Sequence, residues 1–157
     1  MAVKFDSFEM DEAFACPVQK LFAAFTDPAT KRAWYADGAH AGTHETLEYT
    51  LDSQVGGKEV FRLALNDRTP MPGVEIKMEG ECVARVDDAL LVYASRMIVH
   101  GQVVSITNET FEFAPDGAGA RLRLTLQGAY LEGSDGPELR RRGHEQLLSD
   151  LRRHLGG

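Results

Sequence analysis

The chain reads as an α+β domain, an antiparallel sheet of about six or seven strands curved around one long C-terminal helix, with two short helices after the first strand. Three observations predict this. Pro17 to Tyr35, PVQKLFAAFTDPATKRAWY, has helical spacing broken at Asp27-Pro28. Between Leu47 and Leu131, runs of alternating apolar residues are separated by hairpin-length turns. A leucine stripe then recurs at helical spacing near the C-terminus.

Each element follows from its residues. Residues 3–15 are extended in character, with Phe5, Phe8, Met10, Phe14 and Ala15 in imperfect alternation, ending at Cys16-Pro17. Proline suits the first helical position, because the N–H it lacks would be unpaired there. Val18, Leu21, Phe22 and Phe25 form one helical stripe. Asp27 precedes Pro28, so it leaves the helix and is placed to cap the next, which runs to about Tyr35. Residues 36–45, ADGAHAGTHE, read as a loop, and Leu47, Tyr49 and Leu51 as a strand. Val55-Gly56-Gly57 is turn chemistry leading to a partner strand from Lys58 to Leu65.

Residues 66–73 are a connecting loop. Val74, Ile76, Met78, Cys82, Ala84 and Val86 then alternate, with Gly80 as the expected bulge. Strands are expected from Leu90 to His100 and Gln102 to Phe113, with Ala114 to Gly119 as a long hairpin turn. Leu122, Leu124 and Leu126 form a dry face opposite Arg121, Arg123 and Thr125, and residues 128–136 loosen. The last helix covers residues 137–155, with Leu147, Leu148, Leu151 and Leu155 inward and Gly156-Gly157 as its end. Nothing repeats, so residues 1–157 are read as a single domain.

Composition narrows the function. Hydrophobic residues are 43% and charged residues 26%, ordinary for a globular protein. No apolar run is long enough to span a membrane, and MAVKFDSFEMDE lacks the apolar core of a signal peptide. A cytoplasmic location is expected. A net charge of −7 argues against nucleic acid as a partner. Arg140-Arg141-Arg142 reads as a solvated helix face, with recognition of an anionic ligand as the alternative. Cys16 and Cys82 form no C-x-x-C and are expected as reduced structural thiols.

Taken together, these residues resemble the SRPBCC superfamily, the helix-grip fold shared with START lipid-transfer domains and the birch-pollen allergen. Within it, the chain is similar to the bacterial branch related to the C-terminal domain of the heat-shock ATPase activator, an Aha-type co-chaperone. Pro17-Val18, Leu21 to Phe25, Thr26-Asp27-Pro28 and Trp34 resemble that branch's opening motif. Val55-Gly56-Gly57-Lys58 with Phe61 resembles its glycine turn, and Leu91-Val92-Tyr93 its L-V-Y strand. Thr110 to Phe113, Gly119 to Leu122 and Gln127 to Leu131 follow the later strands. Where many relatives carry Gly-Trp in the last helix, this chain has Gly143-His144. The resemblance implies the fold. It leaves function open, because this scaffold serves carriers, receptors, cyclases and co-chaperones.

No constellation reads as catalytic machinery, and no cofactor is expected. His40, His44 and Glu45 lie in a glycine-containing loop without further ligands at motif spacing, so no metal is expected. Trp34 and Tyr35 either pack the core or, by the resemblance, line a cavity mouth. His144 falls on the apolar stripe of the last helix, either paired in the core or facing a cavity. Glu109 shares strand parity with Phe111 and Phe113, and Arg96 with Val92 and Ile98; either this parity turns a charge inward, which would need a partner or a polar ligand, or a bent strand slips its parity at a bulge. The expected function is binding of a small hydrophobic or amphipathic molecule between sheet and helix, with Trp34, Tyr35 and His144 as contributors. The alternatives are a co-chaperone-like interaction domain, partnered by a chaperone or by itself, and a polyketide-cyclase-like enzyme.

Overall fold

Strand β1, Lys4–Phe14, opens the chain. The fold is seen in a computed structural model that describes residues 2–40 and 42–156. Gly157, expected at the helix end, and Ala41, within the expected loop, lie outside the described residues. Phe8, Met10 and Phe14 point inward from β1, while Phe5 stands on the other face and is 79% exposed. Helix α1, Val18–Thr26, follows, and Pro17 is its cap rather than its first residue. Val18, Leu21, Phe22, Ala24 and Phe25 are its buried face. Asp27 caps α2, Pro28–Lys31, by accepting from Thr30 N–H at 2.9 Å and Thr30 O–H at 2.6 Å.

The second helix differs from expectation after Lys31. Arg32–Asp37 winds as a π-helical segment. Its wider turn lets the adjacent Trp34 and Tyr35 both face inward, which a tight helix opposes. Trp34 Nε1 donates to the Ala24 carbonyl at 2.8 Å, and the Tyr35 ring packs 5.4 Å from that of Phe61.

Six more strands complete the sheet: β2 His44–Leu51, β3 Lys58–Leu65, β4 Glu75–Val86, β5 Leu90–Val99, β6 Gln102–Asp116 and β7 Gly119–Tyr130. Their spatial order is β1-β7-β6-β5-β4-β3-β2, with every neighbour antiparallel. The connections from β2 to β7 are hairpins. The β5–β6 turn, His100-Gly101, has positive φ at both residues, the twist a two-residue hairpin needs. The chain returns to β1 only at β7.

Three local expectations are corrected. The bulge in β4 falls between Cys82 and Ala84, not at Gly80, and it leaves Val83 and Val86 exposed. Gly80 pairs regularly with Ser95 and is needed for close approach: a Cβ there would lie 2.8 Å from Ser95 Oγ. The β6–β7 hairpin is tighter than expected. Pro115 remains paired with Ala120, in a part of β6 beyond the reach of β5, so its missing N–H leaves no ladder bond unmade. Gly128 lies inside β7 rather than in a loosened segment.

Helix α3, Pro137–Leu155, closes the fold, and Gly156 ends it in the left-handed conformation. Leu148 and Leu151 enter the main core with Phe8, Met10, Phe22 and the β7 leucines, and Leu147 and Leu155 pack against it. α3 lies mainly on β1 and the π-helical segment, and α1 on β6 and β7. The inner faces of β3, β4 and β5 carry no helix of their own, and a space remains beneath α3.

Candidate functional site

That space is a cavity of about 360 Å³. Phe61 and Leu63 from β3 and Ile76 and Met78 from β4 give it an apolar wall, continued by Trp34 and Tyr35. The π-helical segment brings the two aromatics into that wall. Sheet parity brings the rest, since alternate residues of a strand share one face.

Charged side chains also reach this interior. Lys31 is only 5% exposed. Its ammonium lies 2.7 Å from Glu59 Oε2 and sits over the rings of Tyr35 and Tyr93, at 4.8 and 5.5 Å. Tyr49 donates its O–H to the same carboxylate oxygen at 2.5 Å. A buried cation needs such a counter-charge to remain ionised. Burial, then the charge of Glu59, pushes the Tyr49 hydroxyl far above the ordinary tyrosine range. Burial and Glu59 do the same to Tyr35 and Tyr93. The Tyr93 hydroxyl is enclosed without a hydrogen-bond partner among the described residues.

A second charged group sits under the start of α3. Arg140 donates from Nε and Nη2 to the Asp135 carboxylate, each at 2.8 Å, and from Nη2 to Ser105 Oγ at 2.8 Å. Burial would lower the Arg140 pKa, but hydrogen bonding and charge from Asp135 outweigh it. This corrects the expectation of a wholly solvated arginine run. Arg140, His144, Leu148 and Leu151 lie on one face, because three consecutive helical residues cannot all point the same way.

His144 follows one turn later. Its Nδ1 bonds to the Arg140 carbonyl at 3.0 Å, and Nε2 faces Glu109 Oε2 at 3.9 Å. That separation is too long for a hydrogen bond. Glu109 keeps 23% of its side-chain surface accessible although it lies deep in the protein, so that surface borders the cavity. Burial pushes its carboxyl up. His144, then Lys31 and Arg140, more than reverse this and hold its pKa below the usual glutamate range.

The structure thus brings Trp34, Tyr35 and His144 to one cavity. Trp34 offers only its ring, since its N–H is committed to Ala24. His40 and His44 also reach the cavity, against the expectation of a free surface loop. His44 opens β2 and bonds through Nε2 to the Ala36 carbonyl at 2.6 Å. The His40 N–H donates to Asp150 Oδ2 at 3.1 Å, tying the loop to α3. Among the described residues, no three His, Cys, Asp or Glu side chains gather as a metal site. Arg96 stands on the outer face and pairs with Glu79 at 2.7 Å. Glu109 is inward, as its parity suggested.

Sequence reasoning missed Lys31, Glu59, Tyr93 and Arg140. Three signals existed. Glu59 shares parity with Phe61 and Leu63, Tyr93 with Leu91, and Arg140 lies one turn before His144 on the α3 stripe.

Comparison with known proteins places this architecture. Residues 15–156 match the family described as activator of Hsp90 ATPase homolog 1-like protein. The chain belongs to this family. It is thus of the Aha-type branch of the SRPBCC superfamily. The Mll3558 protein from Rhizobium loti is 31% identical, over 98% of this chain and 99% of its own, with a TM-score of 0.85. An uncharacterized protein from Rhizobium leguminosarum is 24% identical, over 99% of this chain and 97% of its own, with a TM-score of 0.88, a likeness of fold alone. No curated protein matches the sequence. No helix among the described residues of this Aha-type domain is long and apolar enough to cross a membrane.

Proposed function

We propose that this Aha-type domain is a cytoplasmic small-molecule binding protein, holding a hydrophobic or amphipathic ligand between its sheet and α3. One observation carries the reading: a cavity of about 360 Å³ whose aromatic and aliphatic wall is interrupted by a few polar groups. That size and composition suit a small organic molecule. Trp34, Tyr35 and His144 are its proposed contacts.

The test uses a neutral fluorescent apolar probe, N-phenyl-naphthylamine, with the wild type and Gly143→Phe. Gly143 lines the cavity, and a Cβ there meets nothing within 4 Å. A large side chain at that point fills the space while improving helix propensity. Probe uptake by the wild type and its loss in a well-folded Gly143→Phe is the expected result. A wild type that takes up no probe would put the co-chaperone-like interaction reading first.

A second reading, catalysis of the cyclase kind, is favoured by the Glu109–His144 pair, an acid and a base 3.9 Å apart in the cavity wall. The two make no hydrogen bond to each other, so neither orients the other for proton transfer. Binding makes use of the same pair without requiring chemistry.

A further inference from the structure

The polar wall of the cavity is not balanced. Among the described residues, Lys31 faces Glu59 and Arg140 faces Asp135, each cation matched to a carboxylate. Glu79 and Arg96 satisfy each other on the outer face. Among the described residues, Glu109 is left over: it has no hydrogen-bond donor, and His144, at 3.9 Å, is its one ion-pair contact.

His144 cannot supply that donor in its neutral form. The Arg140 carbonyl can only accept, so the Nδ1 bonded to it carries the ring proton. Nε2 is then a lone pair. A lone pair and a carboxylate oxygen therefore face each other across 3.9 Å, and both lack a proton to accept. One donor atom set to the side of the line joining these two acceptors can lie within hydrogen-bond distance of both. Beside a neutral His144, the charges of Lys31 and Arg140 still favour the carboxylate form of Glu109, and a carboxylate needs a donor rather than an acceptor.

We propose that the ligand of this cavity carries an amine head, protonated as an ammonium group, that donates to both Glu109 Oε2 and His144 Nε2. This rests on the small-molecule reading above and names the ligand's chemical class. A tetrahedral ammonium has the several N–H bonds needed to serve both acceptors, and its charge neutralises the unmatched carboxylate. The hydrocarbon part of the molecule lies against Phe61, Leu63, Ile76 and Met78.

The experiment is calorimetric titration of the full chain at neutral pH with three molecules sharing one tail: phenylbutylamine, phenylbutanol and phenylbutyrate. The expected order is amine, then alcohol, then carboxylate, with the amine ahead of the alcohol by about ten-fold, as for a charge-assisted hydrogen bond. In Glu109→Gln the amine's advantage should shrink to about three-fold or less. The wild-type series decides the matter even if that variant folds poorly. Equal binding of all three, or preference for the carboxylate, would overturn the amine assignment and leave the binding reading standing. Failure of all three and of the neutral probe would overturn both.

Discussion

Lys31 and Glu59 tie the end of α2 to strand β3 through an ion pair of 2.7 Å, with Lys31 buried and Glu59 mostly so. The pair forms one wall of the cavity, and Tyr49 leans on the same carboxylate. Its contribution to net stability is small, because desolvation of both charges offsets their attraction. Breaking it is another matter.

Lys31→Met leaves Glu59 buried without its cation. A destabilisation of about 3–5 kcal/mol is expected, the range for removing one partner of a buried pair. The double variant with Glu59→Met should recover most of that loss. Urea melts of the three proteins measure both. A loss for Lys31→Met under about 1 kcal/mol would show that the pair behaves as a solvated surface bridge.

Leu151 is fully buried where α3 meets the main core. Leu151→Ala should cost about 2–5 kcal/mol, the transfer term plus the cavity left behind. A denaturant melt shifted by less than about 0.5 kcal/mol would show that α3 is not docked as described.

Gly80 allows β4 to pass close to Ser95 and Tyr93. In Gly80→Ala the new Cβ would lie 2.8 Å from Ser95 Oγ and 3.3 Å from Tyr93 Cδ1. Overpacking of this kind costs roughly 1–3 kcal/mol. Adding Ser95→Ala removes the nearer clash, so the double variant should melt above Gly80→Ala alone. Simple additivity of the two substitutions would contradict the geometry.

All four tyrosines, Tyr35, Tyr49, Tyr93 and Tyr130, have hydroxyls whose pKa is raised, with burial as the largest cause. The folded state therefore holds its phenolic protons where the unfolded chain would release them. The resulting stability is present below the ordinary tyrosine value of about 10 and is lost as pH rises above it. An ultraviolet titration should show no gradual tyrosinate signal near that value. The four should ionise together, coincident with alkaline unfolding seen by circular dichroism. A smooth titration centred near 10 in the folded protein would count against this packing.

Glu109 shifts the other way. Its folded pKa lies below the unfolded one, so its ionisation stabilises the fold above the unfolded value and that stability is lost as pH falls. Melting temperature against pH should therefore fall less steeply below about pH 4.3 in Glu109→Gln than in the wild type. Parallel curves would mean that the carboxylate has no favourable charged surroundings.

The sequence alone determined most of the fold. Alternation along the strands, the helical stripe of α1 and the leucines of α3 each record which face is dry, and these suffice to order helix, sheet and helix. Asp27 as a cap and Glu109 as an inward charge were legible for the same reason: each depends on near neighbours in the chain. Trp34 and Tyr35 could be placed at a cavity only through resemblance, and His144 through its position on the α3 stripe. What the tertiary structure decided were the partnerships across long separations. Lys31 meets Glu59, Arg140 meets Ser105, and His144 meets Glu109 only because the sheet curls beneath α3. The π-helical winding at Trp34-Tyr35 and the bulge after Cys82 were equally invisible, since both are set by what the turned residues pack against. Periodicity records whether a side chain avoids water. It does not record which side chain it meets there, and the cavity is made of such meetings.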